Sequence, residues 1–236
     1  MQRLVVAFLL LWGGTQLSAQ TIVQQFSALS AGAGQTSDMD LVQPTAKGST
    51  LIAMPEQLSP DVKVLSVTDN APDGGNTYKQ IKNASSSCAK RAVDIWYCEN
   101  CNPGVTELKF HLSGNVRGSV NTFLEVSDLA LSGVLDGDGA HITDAPLGSD
   151  GREVGPKIQT TSTDFVIARH SSTPFPSIIK GATPADWVYK PTYVYGLNLP
   201  AGTYQPILTG SKNGGTFCLS VAAFKVAGHG AAPDQH

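Results

Sequence analysis

The chain has 236 residues, of which 41% are hydrophobic and 15% charged, with 24 glycines, 14 prolines and a formal net charge of −3. That balance provides no basic block for nucleic acid or for an anionic membrane surface, so neither is an expected partner. The glycine and proline content, with few leucine-rich helical stretches, points to many short strands and turns.

The first nineteen residues, MQRLVVAFLLLWGGTQLSA, set Arg3 before the apolar run Leu4–Trp12 and end on Leu17-Ser18-Ala19. This is the layout of a secretory signal peptide cut after Ala19. The run is too short to cross a hydrocarbon core of about 30 Å, and no later stretch qualifies, so no transmembrane segment is expected. Removing residues 1–19 takes Arg3 away, moves the formal charge to −4 and leaves a length that suits one large β domain. No lipobox cysteine lies near the cut and no apolar tail closes the chain, so release or non-covalent association with a surface is expected.

From residue 20 onward, apolar positions recur with period two or in short β-branched runs. "TIVQQF" (Thr21–Phe26) opens as a strand, and "SDMDLVQ" alternates Met39 and Leu41 with Asp38 and Asp40. "STLIAM" (Ser49–Met54) is continuously apolar, the mark of a strand covered on both faces. "VKVLSVTDN" alternates and then runs into the turn "APDGGN", where glycines supply positive φ. "NTYKQIK", "AVDIWYC", "VTELKFHL", "NTFLEVSDL", "TDFVIARHS" and "GTFCLSVAAFKV" are strand-like, and Pro191 makes "WVYKPTYVYGL" an edge or a bend. About ten strands without an amphipathic helix predict an all-β fold, a single antiparallel β-sandwich of jelly-roll-like type over residues 20–227. Residues 228–236 are expected to form a flexible tail.

The order of "AKGSTLIA", "VLSVTDN…GNTYKQ", "VDIWYCENCNPGVTELKFHLSG", "TFLEVSDLALSGVLDGDG", "TTSTDFVIAR" and "AGTYQPIL…GGTFCLSVAAFKVA" resembles an exported bacterial β-sandwich family of uncharacterised function. The likeness covers most of residues 21–226 and rests on turn residues, so it implies a fold more than an activity. It implies a surface or secreted module of adhesion type, with no catalytic residues to carry over. The chain departs from the family pattern in its four cysteines and in the longer turn "DNAPDGGN".

"IWYCENCNPG" (Ile95–Gly104) has the spacing of a redox dithiol. A reactive thiol needs a helix N-terminus, and here Cys101 runs into Asn102-Pro103-Gly104, a turn. A zinc site wants a second close pair, which Cys88 and Cys218 do not form. Four cysteines in an exported chain predict two disulfides, with three connectivities open. Cys98–Cys101 with Cys88–Cys218 competes with Cys88–Cys98 and Cys88–Cys101.

Three other stretches carry candidate chemistry. "LDGDGAHITD" places Asp136 and Asp138 in a Gly-rich loop, with Asp144 beyond. That suits Ca²⁺, although Ala140 stands where an EF-hand-type loop needs Asp or Asn, and a solvated turn explains the dipeptides equally. "DWVYKPTYVYG" carries Trp187, Tyr189, Tyr193 and Tyr195 at same-face spacings, a platform on which sugar rings could stack unless the rings pack in the core. For hydrolysis, Glu125 with Asp128, or Asp94 with Glu107, could straddle a bond, and His170-Ser171 are adjacent. There is no Gly-x-Ser-x-Gly elbow and no His spacing for a metal. No cofactor other than Ca²⁺ is suggested. The expected role is a non-catalytic, structural or adhesive module contacting polysaccharide or a surface protein, with a carbohydrate-binding module and a secreted hydrolase as alternatives.

Overall fold

The computed structural model describes residues 20–31, 34–72, 74–88, 91–143, 152–173, 179–183, 187–210 and 216–228. The proposed signal peptide, the tail beyond residue 228 and Asp144 lie outside them. Strands dominate, and the helical element among the described residues is one 3₁₀ turn, Lys82–Ala84.

Two large antiparallel sheets form the centre. The first orders Thr21–Ala31, Gly118–Ser127, Thr50–Gln57, Arg91–Val93 and Ser86–Cys88, with Trp96–Cys98 also on Thr50–Gln57 and Lys79–Gln80 beside it. The second orders Leu135–Thr143, Thr216–Lys225, Asp164–Thr173, Tyr193–Leu199 and Val188–Lys190. Each carries its own outer layer. Thr36–Asp40, Glu107–Leu112 and Val64–Asp69 belong to the first sheet's partner, while Arg152–Val154, Ile207–Gly210 and Ile179–Thr183, with the pair Ile158–Gln159 and Thr203–Tyr204, flank the second.

Side-chain alternation explains the layering. In Thr50–Gln57, Leu51 and Ala53 join Met39, Val67, Leu108, Phe110 and Phe123 in one core. Their neighbours Ile52 and Met54 face the opposite way and join Leu124, Val126, Phe165, Ile167 and Phe224 in a second core between the two large sheets. Successive side chains of a strand point to opposite faces, so a strand in a middle layer must be apolar at every position. The same holds for Thr216–Lys225. Ala222 and Phe224 face the second core, and Phe217, Leu219, Val221 and Ala223 face a third, shared with Ile158, Trp187 and Leu208. Each fully buried Leu, Ile or Phe contributes about 1.5–3 kcal/mol of transfer free energy. The all-β antiparallel sandwich expected from the sequence is present, and it has four layers. Residues 21–127 supply the first two and residues 135–225 the other two.

Polar and covalent links cross between the halves. Cys88 is bonded to Cys218, and Ser86 Oγ lies 3.1 Å from Ser220 Oγ. Arg169 Nη2 donates to Glu56 Oε2 at 2.6 Å. Within the first half Arg91 also bonds Glu56, and from the second half Ser171 Oγ donates to Glu56 Oε1 at 2.6 Å.

Candidate functional site

The cysteines form Cys98–Cys101 and Cys88–Cys218, so none of the four is free as a thiol or a metal ligand. The turn of the short bridge docks onto the preceding hairpin: Asn102 N–H donates to Asn76 Oδ1 at 2.7 Å. Asp69 organises that hairpin, accepting from the N–H groups of Ala71 and Asn76 at 3.0 Å and from Tyr78 Oη at 2.9 Å. Gly75 sits at φ 85°, where a Cβ would come 3.2 Å from the carbonyl oxygen of Asp69, which makes glycine the residue that fits. Asp69, Gly75, Asn76 and Tyr78 of the motif "DNAPDGGNTY" are accounted for by this structural work.

The aromatic platform does not form from the four residues named for it. Trp187 is 5% exposed and lies in the third core with Val194 and Leu199. Tyr193 and Tyr195 are buried in the second core, their rings 6.1 Å apart and nearly parallel. Tyr189 alone of the four reaches solvent, at 36% exposure, and it stacks on His170. Pro191 sits in the tight turn between Val188–Lys190 and Tyr193–Leu199, the bend its sequence suggested.

The Asp-Gly stretch is a strand, Leu135–Thr143, and not a loop. Its glycines reflect close packing: a Cβ on Gly137 would lie 2.7 Å from the carbonyl oxygen of Gln159. Asp136 accepts from Thr161 Oγ1 at 2.6 Å and from Ser162 N–H at 3.2 Å, and pairs with Lys225 at 3.6 Å. Asp138 accepts from Asn83 Nδ2 at 3.2 Å. These two carboxylates are occupied by separate donors, and no group of three or more His, Cys, Asp or Glu that could hold a metal occurs among the described residues. Asp136 does share a hydrogen bond with Asp164. Burial, then the Asp136 charge, pushes the Asp164 carboxyl up to about 7. Hydrogen bonds from Thr161, with the nearby Lys225 charge, outweigh burial and hold Asp136 low.

The carboxylates considered for hydrolysis are not paired. Glu125 is fully buried and accepts from Gln24 Nε2 at 2.8 Å, Ala46 N–H at 2.6 Å and Ser49 Oγ at 2.8 Å. Asp128 accepts from Ser127 Oγ at 2.7 Å. Glu107 stands on the outer strand Glu107–Leu112, 3.7 Å from Lys109 Nζ. His170 and Ser171 point to opposite faces of one strand, Ser171 toward Glu56 and His170 toward Tyr189. Burial, reinforced by Arg169, drives the His170 pKa down to about 3, so it is neutral.

Asp94 is different. It lines a cleft of about 570 Å³, within the range of small-ligand sites. Five pieces of the first half build it. Arg91–Val93 delivers Asp94, whose own N–H is anchored on the Pro55 carbonyl at 3.1 Å. Lys79–Gln80 ends on Gln80, the 3₁₀ turn carries Lys82, and Ser85 caps that turn. Lys63 and Leu65 come from the start of the Val64–Asp69 strand, and Ser87 from the strand whose Cys88 is bridged to Cys218. Gln80 Nε2 donates to Asp94 Oδ1 at 3.2 Å and to Ser85 Oγ at 3.1 Å, and Ser85 bonds Asp94 in turn. Asp94 is 6% exposed, and burial raises its pKa against the opposing pull of Ser85, Gln80 and Lys63. Both lysines are exposed at the rim. Sequence reasoning named Asp94 for a pair with Glu107 and missed the rest, because the cleft gathers residues from separate turns and a strand edge. No family model, no curated protein and no solved structure matches the chain.

Proposed function

We propose that the protein is an exported, non-catalytic β-sandwich module with a structural or adhesive role toward polysaccharide or a surface protein. The observation that carries this reading is how the buried ionisable groups are used. Glu56, Arg169 and Glu125 are consumed by hydrogen bonds that join strands and sheets. In its cleft, Asp94 has no second carboxylate beside it among the described lining residues, as acid–base hydrolysis of a glycoside would require. Export is supported by the signal-peptide layout and by two disulfides, which persist in oxidising compartments. No described helix is long and apolar enough to cross a membrane.

The test is to incubate residues 20–236, oxidised, with insoluble polysaccharides and immobilised surface proteins, and to follow both retention and products. The expected result is retention of the protein with no oligosaccharide or peptide released by mass spectrometry. Release of products, abolished by a substitution that leaves the fold intact, would replace this reading with a hydrolase.

A further inference from the structure

We propose that the Asp94 cleft binds a saccharide bearing a carboxylate, a uronic-acid-type sugar. The inference rests on the polysaccharide arm of the module reading and deepens it by naming the site and the sugar chemistry. Three features of the cleft select this chemistry together. The floor presents an oriented carboxyl, Asp94, held by Gln80 and Ser85, and a carboxyl so fixed accepts hydrogen bonds from hydroxyl groups of a ring. The rim carries Lys63 and Lys82, two cations against one acid, which match a ligand carboxylate. The lining also includes the apolar side chains of Pro60 and Leu65, the latter 63% exposed, against which the C–H face of a sugar ring can pack.

An acidic peptide meets the lysines equally well but lacks the array of ring hydroxyls that a sugar offers to Asp94. A neutral sugar satisfies Asp94 and leaves the lysines without a partner. A ligand with both hydroxyls and a carboxylate satisfies every wall. The cleft also has a fixed frame, since the strand carrying Ser86 and Ser87 is tied to the second sheet through Cys88–Cys218 and through Ser86 to Ser220. Preformed walls lower the ordering cost of binding.

The experiment is calorimetric titration of the oxidised chain, residues 20–236, with oligogalacturonate, with its methyl ester, and with poly-glutamate. Binding to oligogalacturonate that weakens at least tenfold for the ester is expected. Lys82→Gln and Asp94→Asn should each weaken it at least tenfold, with circular dichroism unchanged. Equal affinity for acid and ester, affinity for poly-glutamate comparable to that for the sugar, no binding of either saccharide, or binding indifferent to both substitutions would each overturn the assignment. Mass spectrometry of the same mixtures separates the two readings. Cleaved sugar would overturn the non-catalytic role while leaving the ligand class standing, and intact but unbound sugar would do the reverse.

Discussion

Arg169, with no exposed surface, reaches from the second large sheet to Glu56 on the first, Nη2 to Oε2 at 2.6 Å, while its Nη1 donates to the Thr192 carbonyl at 2.6 Å. A charge buried so completely is tolerable because its partner and its carbonyl acceptors are in place. Removing one member leaves the other uncompensated in a low-dielectric seam. Arg169→Met should therefore destabilise the fold by about 3–5 kcal/mol, read as a fall in the urea midpoint. A loss under about 1 kcal/mol would mean that the seam is wet enough to screen the pair.

Two buried titratable groups should pull stability in opposite directions with pH. Asp164 has its folded pKa raised to about 7, above an unfolded value of about 3.9. The folded state thus holds the extra proton, and the stability this contributes is present at low pH and lost as pH rises from about 4 to 7. The groups facing it are Asp136, Ser162 and Thr160, with Lys225 beyond Asp136. Asp164→Asn should flatten that part of the profile, making urea midpoints at pH 5 and pH 8 more alike. An unchanged profile would show that Asp164 is ionised throughout.

His170 works the other way. Its folded pKa is lowered to about 3 from an unfolded value of about 6.5, so the unfolded state takes the proton first. The stability of neutral His170 is fully present above about 6.5 and is lost as pH falls toward 3. His170→Gln should reduce acid sensitivity between pH 6 and 4 in urea titrations. If the variant is as acid-sensitive as the parent, His170 is not the group responsible.

The two disulfides should differ in weight. Cys88–Cys218 closes a separation of 130 residues and Cys98–Cys101 one of 3. Loop-closure entropy grows with length, giving up to about 4–5 kcal/mol for the long loop and roughly 2 for the short one. The double substitution Cys88→Ala/Cys218→Ala should lower the denaturation midpoint more than Cys98→Ala/Cys101→Ala. The reverse order would point to strain or to residual structure in the unfolded chain.

Much of this fold could be read from local pattern. "STLIAM" announced a strand covered on both faces, and Leu51 and Ile52 do enter different cores. The alternation around Met39, the glycine-bearing turn "APDGGN" and the staple role of the cysteines were equally visible. "LDGDG" was not, because glycine there answers to the backbone of Gln159, far along the chain, and reads locally as a turn. Period-two spacing grouped Trp187 with Tyr189, and Tyr193 with Tyr195, but could not say that both faces of their sheet are covered. The Asp94 cleft was illegible for a similar reason. Its members are ordinary polar residues until Lys79–Gln80, the 3₁₀ turn and Ser86–Cys88 fold beside one another.

The most direct test of the central claim, that recognition belongs to the Asp94 cleft and not to the aromatic strand, is glycan-array binding of three proteins side by side: the parent, Asp94→Asn and Tyr189→Ala. Tyr189 is the exposed member of the aromatic set, so its removal leaves the core intact. The expected result is binding of acidic glycans by the parent, retained in Tyr189→Ala and lost in Asp94→Asn. Binding that disappears with Tyr189 and survives the loss of the Asp94 carboxylate would contradict it.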